Sequence, residues 1–238
     1  LQIVADVHTY TQDYYSEFSG FSKNTWLLAG SQLKYRIFVN GTLAGIGPAR
    51  PVDKQAYLHE FDLISLINEG QNALGIISLG ESAGFAALAT ISFLDGSKQT
   101  FATGPDWKSL NAVDIFSPVC WEHPGLNDYH KGAPGPGELP EHIDGRLFPR
   151  GWNEPGFDDS GWQSAQTYGT ADGEYADSDI ANLDFYEVHP KTITRIGDGH
   201  YFFDFGKEVI ASMAVHAFAS DASITLRLGE ELWAENRV

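Results

Sequence analysis

Two tryptophans bracket the segment Trp152–Trp162, whose residues read W-N-E-P-G-F-D-D-S-G-W. The segment has neither a helical nor a strand period, and its Pro-Gly pair predicts a structured loop. Its residue types suit two kinds of binding chemistry. Tryptophan faces can stack on the C–H groups of a sugar ring, and the carboxylates of Asp158 and Asp159 could hold a metal ion.

Each of these residues also has a structural use. An aspartate in such a loop accepts hydrogen bonds from nearby backbone N–H groups, and adjacent side chains of an extended chain point apart. Large aromatic rings commonly fill the end of a β-sandwich. We therefore favour a turn-forming role for Asp158-Asp159 and a packing role for the two tryptophans, while Trp152 is retained as a candidate for substrate binding.

A second set of candidates precedes this loop. Trp121 and Tyr129 lie in a Pro- and Gly-rich stretch and are the better candidates for stacking on a sugar. The run E-H-I-D-G-R that follows brings two carboxylates close to Arg146. We expect a buried ion pair of Arg146 with one of them, and a clamp on sugar hydroxyls is the alternative. The candidate substrate-binding residues are thus Trp121, Tyr129, Glu141, Asp144, Arg146 and Trp152.

An acidic stretch after the loop carries the oxygen ligands that calcium prefers. It lacks the spacing of a calcium-binding loop, so we favour a solvated linker and no cofactor, with calcium as the alternative. The candidate ligands are Asp172, Glu174, Asp177 and Asp179. The eight histidines form no H-x-x-x-H or H-E-x-x-H pattern, and no G-x-S-x-G elbow is present, so the sequence offers no catalytic residue.

The charge of the chain narrows the classes of partner. Fifteen basic against 32 acidic residues give a net charge of −17, which disfavours binding to nucleic acid and to anionic membrane surfaces. No apolar run approaches the roughly 20 residues that a membrane-spanning helix needs. A neutral ligand such as a sugar is compatible with this charge. With 238 residues, 42% of them hydrophobic, the chain can bury a core.

Cys120 is the single cysteine, which excludes a disulfide within the chain and a cysteine-rich zinc site. This favours a reducing compartment, and hence the cytoplasm over secretion. The chain begins L-Q-I-V-A-D, with neither an initiator methionine nor a signal-peptide layout, and it ends E-N-R-V. We therefore expect a fragment or a processed piece of a longer protein.

Strands must position these candidates, because strand-like alternation runs through most of the chain. In Lys34–Val39 it places Tyr35, Ile37 and Val39 on one face. Asn40-Gly41 then predicts a hairpin, since both central residues of the favoured turn need positive φ. Further strands are predicted at 56–63, 72–79, 85–94, 98–103 and 107–113, with a hairpin at Asp95-Gly96 and at most one helical turn at 64–67.

The second half of the chain changes character. Residues 117–150 hold six prolines and predict a long loop, and strands are predicted again at 185–188, 192–196, 201–205, 210–219 and 223–228. Short strands separated by turn signals predict an all-β fold. We assign residues 1–180 to a jelly-roll-like β-sandwich that carries the loop, and residues 181–238 to the start of a second β-sandwich. Five strands are marginal for a closed sandwich, which favours a truncated second domain.

Three segments share their order and pattern with one enzyme family. They are Tyr35–Arg50 (Y-R-I-F-V-N-G-T-L-A-G-I-G-P-A-R) with E-G-Q-N at 69–72, then Trp152–Trp162, and then Asp204–Leu232 with its D-F-G-K-E-V-I-A and I-T-L-R-L-G-E-E-L runs. Together they resemble the N-terminal region of bacterial α-L-rhamnosidases, which are glycoside hydrolases. The resemblance implies a first β-sandwich followed by the start of the next.

The resemblance also implies where the chemistry lies. In that family the catalytic acid and base stand on an (α/α)₆ barrel downstream of the β-domains, and hydrolysis inverts the anomeric centre. Inverting enzymes hold two carboxyl groups about 6.5–9.5 Å apart. This chain has no predicted helical array to hold such a pair, and none of its residues matches a catalytic position of the family.

The expected function is therefore that of a non-catalytic N-terminal region of an α-L-rhamnosidase, a hydrolase that releases terminal α-L-rhamnose from glycosides. The chain would pack against the catalytic barrel and contribute to binding a rhamnose-containing sugar. Two other functions are compatible with the sequence, a free-standing carbohydrate-binding module and a structural β-sandwich that mediates interactions.

Overall fold

The computed structural model is built almost entirely from β-strands. It describes residues 1–5, 9–10, 28–29, 34–49, 56–79, 85–112, 114–117, 142–167, 175–178, 180–216 and 222–229. Within these residues the helical content is one 3₁₀ turn at Ile64–Leu66, as expected for 64–67. The all-β fold class predicted from the sequence is confirmed. The chain divides into two compact units, Leu1–Leu183 and Asp184–Val238.

The strands are numbered in chain order. They are β1 Gln2–Ala5, β2 Thr9–Tyr10, β3 Leu28–Ala29, β4 Lys34–Val39, β5 Thr42–Gly47, β6 Ala56–Glu60, β7 Leu74–Leu79, β8 Phe85–Ser92, β9 Lys98–Ala102, β10 Lys108–Ser109, β11 Phe116–Ser117, β12 His142–Ile143, β13 Gln163–Ser164, β14 Tyr175–Asp177, β15 Thr192–Gly197 and β16 His200–Asp204. The strand predicted at 107–113 is reduced to β10, which pairs with β13.

A three-stranded antiparallel sheet of order β5-β4-β7 forms one layer of the larger unit. The predicted Asn40-Gly41 hairpin joins β4 to β5 and is confirmed, with φ of 49° at Asn40 and 81° at Gly41. Asparagine and glycine tolerate this left-handed backbone better than other residues, which explains their presence in the turn.

A five-stranded sheet of order β14-β6-β1-β8-β9 forms the second layer. Its pairs are antiparallel except for β14, which runs parallel to β6 at the edge of the sheet. The predicted hairpin at Asp95-Gly96 joins β8 to β9 and is confirmed. The Asp95 carboxylate accepts hydrogen bonds from the Ser97 backbone N–H and hydroxyl, at 2.9 and 2.6 Å, and these bonds lower the pKa of Asp95.

The core lies between these two sheets. Tyr35 and Ile37 of β4 are completely buried, and they cluster with Phe61, which follows β6, and with Ala87 of β8. Val39 is buried on the same face, so the predicted inward face of β4 is confirmed. The Phe61 ring lies close to the backbone of Gly45, so that any side chain at position 45 would collide with the ring.

The hydroxyl of Tyr35 is buried in this core and has no hydrogen-bond partner among the residues that the structure describes. Burial raises the pKa of the phenol, so the group stays neutral at physiological pH. The hydroxyl also lies directly against the backbone of Gly47, which leaves no room for a side chain at that position.

We expect Tyr35→Phe to leave the free energy of unfolding unchanged or to raise it by about 1 kcal/mol, because the substitution deletes a buried hydroxyl that has no partner among the described residues and keeps the ring. The matched variant Tyr35→Ala should lose about 3–5 kcal/mol, because it leaves a cavity in the core. Urea titrations of the two variants measure both effects. A clear loss of stability in Tyr35→Phe would show that the hydroxyl makes a stabilising hydrogen bond.

His59 is buried on the core side of β6, with 4% of its surface exposed. Its Nε2 atom accepts a hydrogen bond from the Ala49 backbone N–H at 3.3 Å, which a protonated imidazole could not do. Burial lowers the pKa of His59 below its ordinary value of 6.5. The unfolded chain therefore binds this proton more readily than the folded protein does.

It follows that the stability contributed by neutral His59 is fully present above pH 6.5 and is lost as the pH falls from 6.5 through the lowered folded pKa. We expect the urea midpoint to fall between about pH 7.5 and about pH 5 in the native protein, and to fall less in His59→Gln. Tryptophan fluorescence monitors both titrations. Parallel pH profiles for the two proteins would contradict this assignment.

The smaller unit departs from the predicted strand pattern. The strands predicted at 192–196 and 201–205 are confirmed as β15 and β16, which pair with each other, with Ile193 opposite Phe203. The predictions for 185–188, 210–216 and 223–228 were wrong, since these segments form no strand. Alternation of apolar residues makes a strand only where a neighbouring strand can pair with it, and the described part of this unit supplies none. The affected side chains are largely exposed, and include Phe185, Tyr186, Ile210, Met213, Val215, Ile224, Leu226 and Leu228.

The predicted domain boundary between residues 180 and 181 and the truncation of the second sandwich both stay predictions. Residues 118–141, which make up most of the predicted loop, and residues 217–219 of the last long strand prediction lie outside the described part of the chain.

Candidate functional site

The loop Trp152–Trp162 is a succession of tight turns. The backbone N–H groups of Glu154 and Trp162 donate to the carbonyls of Gly151 and Asp159, each at 2.9 Å. Gly151 and Gly156 have φ of 74° and 86°, a backbone conformation that favours glycine. Phe157 packs edge-to-face on Trp162, with 5.5 Å between ring centroids. The predicted structured loop is confirmed.

Asp158 holds one of these turns. Its Oδ1 atom accepts a hydrogen bond from the Ser160 backbone N–H at 3.0 Å, and hydrogen bonding by Ser160 lowers the pKa of the carboxyl group. Because Asp159 contributes its backbone carbonyl to the turn that ends at Trp162, the predicted turn-forming role of this acidic pair is confirmed.

Trp152 packs on the outer face of the three-stranded sheet. Phe38 and Gly75 are paired between β4 and β7, on the face opposite to the core residue Ile37. The Trp152 ring stands edge-to-face on Phe38, at 5.7 Å and 78°. A Cβ atom on Gly75 would lie 2.5 Å from this ring. Gly75 thus provides the space that the half-buried tryptophan occupies.

The turn between β4 and β5 also contacts the loop. The Gly41 backbone N–H donates to the carbonyl of Asn153 at 2.9 Å. The Glu154 side chain passes so close that a Cβ atom on Gly41 would lie 3.3 Å from its Cγ atom. The loop therefore docks on β4, β7 and the turn between β4 and β5.

Asn40 connects the same turn to the segment before β7. Its Nδ2 group donates to the carbonyl of Leu66 and to Oδ1 of Asn72, both at 2.8 Å, and its Oδ1 atom accepts from the Ala73 backbone N–H at 2.8 Å. Asn72 in turn donates to the carbonyl of Asn68 at 2.9 Å. The hairpin, the E-G-Q-N run and the tryptophan loop thus meet at one place, which we call the motif junction.

Sequence reasoning did not find this junction, although a signal was present. Asn72 belongs to the E-G-Q-N run, and Gly75 lies within the strand predicted at 72–79. An isolated glycine within a strand often marks the close approach of another group. Here that group is the Trp152 ring.

Asp144 and Arg146 form a bidentate ion pair. Arg146 donates from Nε to Oδ1 of Asp144 at 2.8 Å and from its terminal nitrogen to Oδ2 at 2.6 Å. This contact raises the pKa of the guanidinium. The expected pairing is confirmed for Asp144, but its expected burial was wrong, because the Arg146 side chain is 89% exposed. The carboxylate lies in a surface turn, where it also accepts from the Arg146 backbone N–H at 3.0 Å.

Most of the other candidate substrate-binding and calcium-binding residues lie outside the described part of the chain. Trp121, Tyr129 and Glu141 lie outside the described residues, as do Asp172, Glu174 and Asp179. Asp177 ends the edge strand β14. The described ranges contain no group of three or more His, Cys, Asp or Glu side chains placed to hold a metal ion. The substrate-binding and calcium assignments stay predictions.

No helix in the described ranges is long and apolar enough to cross a membrane.

Comparisons with known proteins identify relatives of this chain. No family model matches the chain. It is 23% identical over 219 residues to an alpha-L-rhamnosidase of Streptomyces avermitilis, which covers 82% of this chain and 19% of that enzyme. It is 22% identical over 201 residues to an alpha-L-rhamnosidase of Formosa agariphila, which covers 74% of this chain and 19% of the relative.

The fold has a counterpart among solved structures. An alpha-L-rhamnosidase from Dictyoglumus thermophilum superposes with a TM-score of 0.51 at 19% identity, over 87% of this chain and 20% of that one. The chain thus spans about a fifth of the length of the curated relatives that it matches. The resemblance to bacterial α-L-rhamnosidases that the three motifs predicted is confirmed, over a region that makes up only a fraction of those enzymes.

Proposed function

We propose that this chain is the non-catalytic N-terminal region of an α-L-rhamnosidase and supports the part of the parent protein that hydrolyses terminal α-L-rhamnosides. The observation that carries the proposal is the extent of the match. Most of this chain aligns with less than a fifth of a protein named alpha-L-rhamnosidase. The remaining four-fifths of such a protein would hold the catalytic carboxylates.

The fold supports a structural role for this chain and a catalytic role for another part of the parent protein. An (α/α)₆ barrel needs many α-helices, and the described residues contain one 3₁₀ turn and no α-helix. What they do contain is a two-layer β core and a loop fixed by backbone hydrogen bonds and by the Trp152 contact. A rigid sandwich of this kind can hold a neighbouring domain and one wall of a substrate cleft in place.

The smaller unit supports a role in packing. Its described residues include no buried side chain, and its β15–β16 hairpin is the size of sheet that is at best marginally stable alone in water. Apolar residues such as Ile210, Leu226 and Leu228 are strongly exposed. We propose that further polypeptide of the parent protein, including the catalytic barrel, covers this surface.

Sugar contact is the second part of the proposal. Arg146 presents an exposed guanidinium that Asp144 holds in a fixed orientation through two hydrogen bonds. A planar group held in this way can donate to the hydroxyls of a rhamnose-containing glycoside. Glu141, Trp121, Tyr129 and Trp152 are the other candidates for contact with the sugar, and calcium is a candidate cofactor.

Incubating the purified 238-residue chain with an aryl α-L-rhamnoside tests the first part. We expect no release of the aryl group above the rate in buffer, because the proposal places the acid and base outside this chain. A full-length enzyme such as that of Streptomyces avermitilis serves as the positive control. Turnover by the isolated chain would contradict the proposal directly.

Calorimetric titration with L-rhamnose, with and without calcium, tests the second part. We expect weak binding that Arg146→Ala abolishes and that Arg195→Ala leaves unchanged. Arg195 is a matched control because it also pairs with a nearby aspartate, Asp198, at 2.6 Å on an exposed surface. If no heat of binding is detected, the chain does not bind the sugar and its role is structural only. Tight binding by a chain without catalytic activity would favour a free-standing carbohydrate-binding module.

A further inference from the structure

The pair Asn40-Gly41 is the single Asn-Gly sequence in the chain, and its chemistry extends beyond forming a turn. Asparagine followed by glycine is prone to spontaneous deamidation, because glycine has no side chain that shields its backbone nitrogen. This nitrogen attacks Cγ of the asparagine, and the new N–C bond closes a cyclic imide. The side-chain amide nitrogen leaves as ammonia and takes up the proton of the attacking N–H group. Water then opens the imide to aspartate or isoaspartate.

The attacking group of this reaction is held by the docked tryptophan loop. The Gly41 backbone N–H donates to the carbonyl of Asn153 at 2.9 Å, and the Glu154 side chain covers the same residue. The nitrogen must turn away from this carbonyl and towards Cγ of Asn40 before it can react. Because Asn40 is half-buried and Gly41 is exposed, water can reach the pair, and hydrogen bonding rather than burial protects it.

The attacked group is held by the segment before β7. The Nδ2 group of Asn40 donates to the carbonyl of Leu66 and to Oδ1 of Asn72, both at 2.8 Å. Its Oδ1 atom accepts from the Ala73 backbone N–H, also at 2.8 Å. Three hydrogen bonds therefore fix the side-chain amide, and rotation of Cγ towards the Gly41 nitrogen breaks them. The two reacting groups are restrained by two different parts of the motif junction.

The product of the reaction is incompatible with the same junction. Conversion of Asn40 to aspartate replaces the donating Nδ2 group by a carboxylate oxygen, which would face the Leu66 carbonyl and Oδ1 of Asn72. Acceptors at this distance without a proton between them repel each other. Asn72 is not free to turn its amide, because its Oδ1 accepts from the Asn68 N–H at 2.8 Å and its Nδ2 donates to the Asn68 carbonyl at 2.9 Å.

We propose that Asn40 is a site of spontaneous deamidation that docking of the loop Trp152–Trp162 controls. Asn40 stays an amide while the loop is docked, and it deamidates when the loop undocks. The carboxylate that forms then opposes redocking, so the modification is one-way. Neither a sugar nor a catalytic domain is needed for this chemistry, and the inference therefore does not depend on the proposed function.

Ageing the purified 238-residue chain at body temperature and mildly alkaline pH tests the control by docking. Peptide mapping by mass spectrometry gives the fraction of Asn40 that is deamidated over time. We expect the native chain to react at least about tenfold more slowly than the chain unfolded in guanidinium chloride. Gly75→Ala, whose added Cβ atom would lie 2.5 Å from the Trp152 ring, should react about fivefold or more faster than the native chain.

Gly104→Ala is the matched control, because a Cβ atom there meets no other atom within 4 Å, and its rate should equal that of the native chain. Amide exchange at Ile37 in the core reports global unfolding in the same samples. If Gly75→Ala does not fold, Trp152→Leu replaces it. Equal rates in the native and unfolded chains would overturn the proposal. So would a loop variant as slow as Gly104→Ala, or an acceleration that global exposure of Ile37 fully accounts for.

The variant Asn40→Asp, which is the reaction product, tests whether the modification opposes docking. We expect the Gly41 amide, which donates to Asn153, to exchange at least about tenfold faster in this variant. Asn182→Asp is the control, since it makes the same change of charge and also removes an amide that donates to a backbone carbonyl, that of Glu60. Its Gly41 amide should keep the native rate. Native protection of Gly41 in Asn40→Asp would show that deamidation leaves the loop docked and would refute the one-way step.

Discussion

Gly75→Ala is expected to destabilise the protein by about 2–3 kcal/mol, although it adds a single methyl group. The added Cβ atom would lie 2.5 Å from the Trp152 ring and 3.1 Å from the Cβ atom of Asn153. Both neighbours belong to the docked loop, so the loop must move away from β7. We expect the emission of Trp152 to shift to the red as its ring becomes exposed, and urea titration to give the loss of stability.

Gly104→Ala is the matched control, because a Cβ atom there meets no other atom within 4 Å. We expect it to change the free energy of unfolding by less than about 0.5 kcal/mol. A double-mutant cycle with Trp152→Leu isolates the contact, since the cost of Gly75→Ala should shrink when the smaller side chain is present. An undiminished cost in that background would mean that the destabilisation does not arise from Trp152.

The second large effect concerns hydrogen exchange in the smaller unit. Amides of residues 209–216 and 222–229 are in no described β-ladder, so in the isolated chain they should exchange within about tenfold of an unstructured peptide. Amides in the centre of β4, such as those of Ile37 and Val39, should exchange at least about a thousandfold more slowly. Mass spectrometry of peptic fragments measures both in one experiment.

The same measurement on a longer parent protein tests what covers this surface. If the parent supplies strands that pair with these segments, residues 222–229 should become protected, whereas exchange in β4 should change little. The apolar dye ANS should correspondingly bind the isolated chain more strongly than the parent. Unchanged exchange at 222–229 in the parent would contradict the proposal that further polypeptide packs on this unit.

The contrast between the two units shows what the sequence could reveal. The hairpins at Asn40-Gly41 and Asp95-Gly96 were predicted correctly because a short hairpin loop depends mainly on local backbone preference. The run Ile224–Leu228 alternates apolar and polar residues regularly, yet it forms no strand, since pairing depends on a partner that local sequence does not specify.

The candidate site shows the same limit. The turn at Asp158 could be predicted because its hydrogen bond spans two residues. The packing of Trp152 on Gly75 could not, since 77 positions separate these residues and the pattern of β7 does not reveal which side chain covers its outer face. Likewise, the pairing of Arg146 with Asp144 follows from their spacing, but its exposure depends on the path of the surrounding chain.

The docking of Trp152 has a consequence for the order in which the polypeptide emerges from the ribosome. The hairpin of β4 and β5 and its neighbour β7 are complete once residue 79 has been made, but their outer face stays bare until residue 152 follows. At about 5–20 residues per second, that interval lasts several seconds. During this time Phe38 and the groove at Gly75 are open to water, to other nascent chains and to chaperones, so this sheet is exposed to misassembly until the loop has been synthesised.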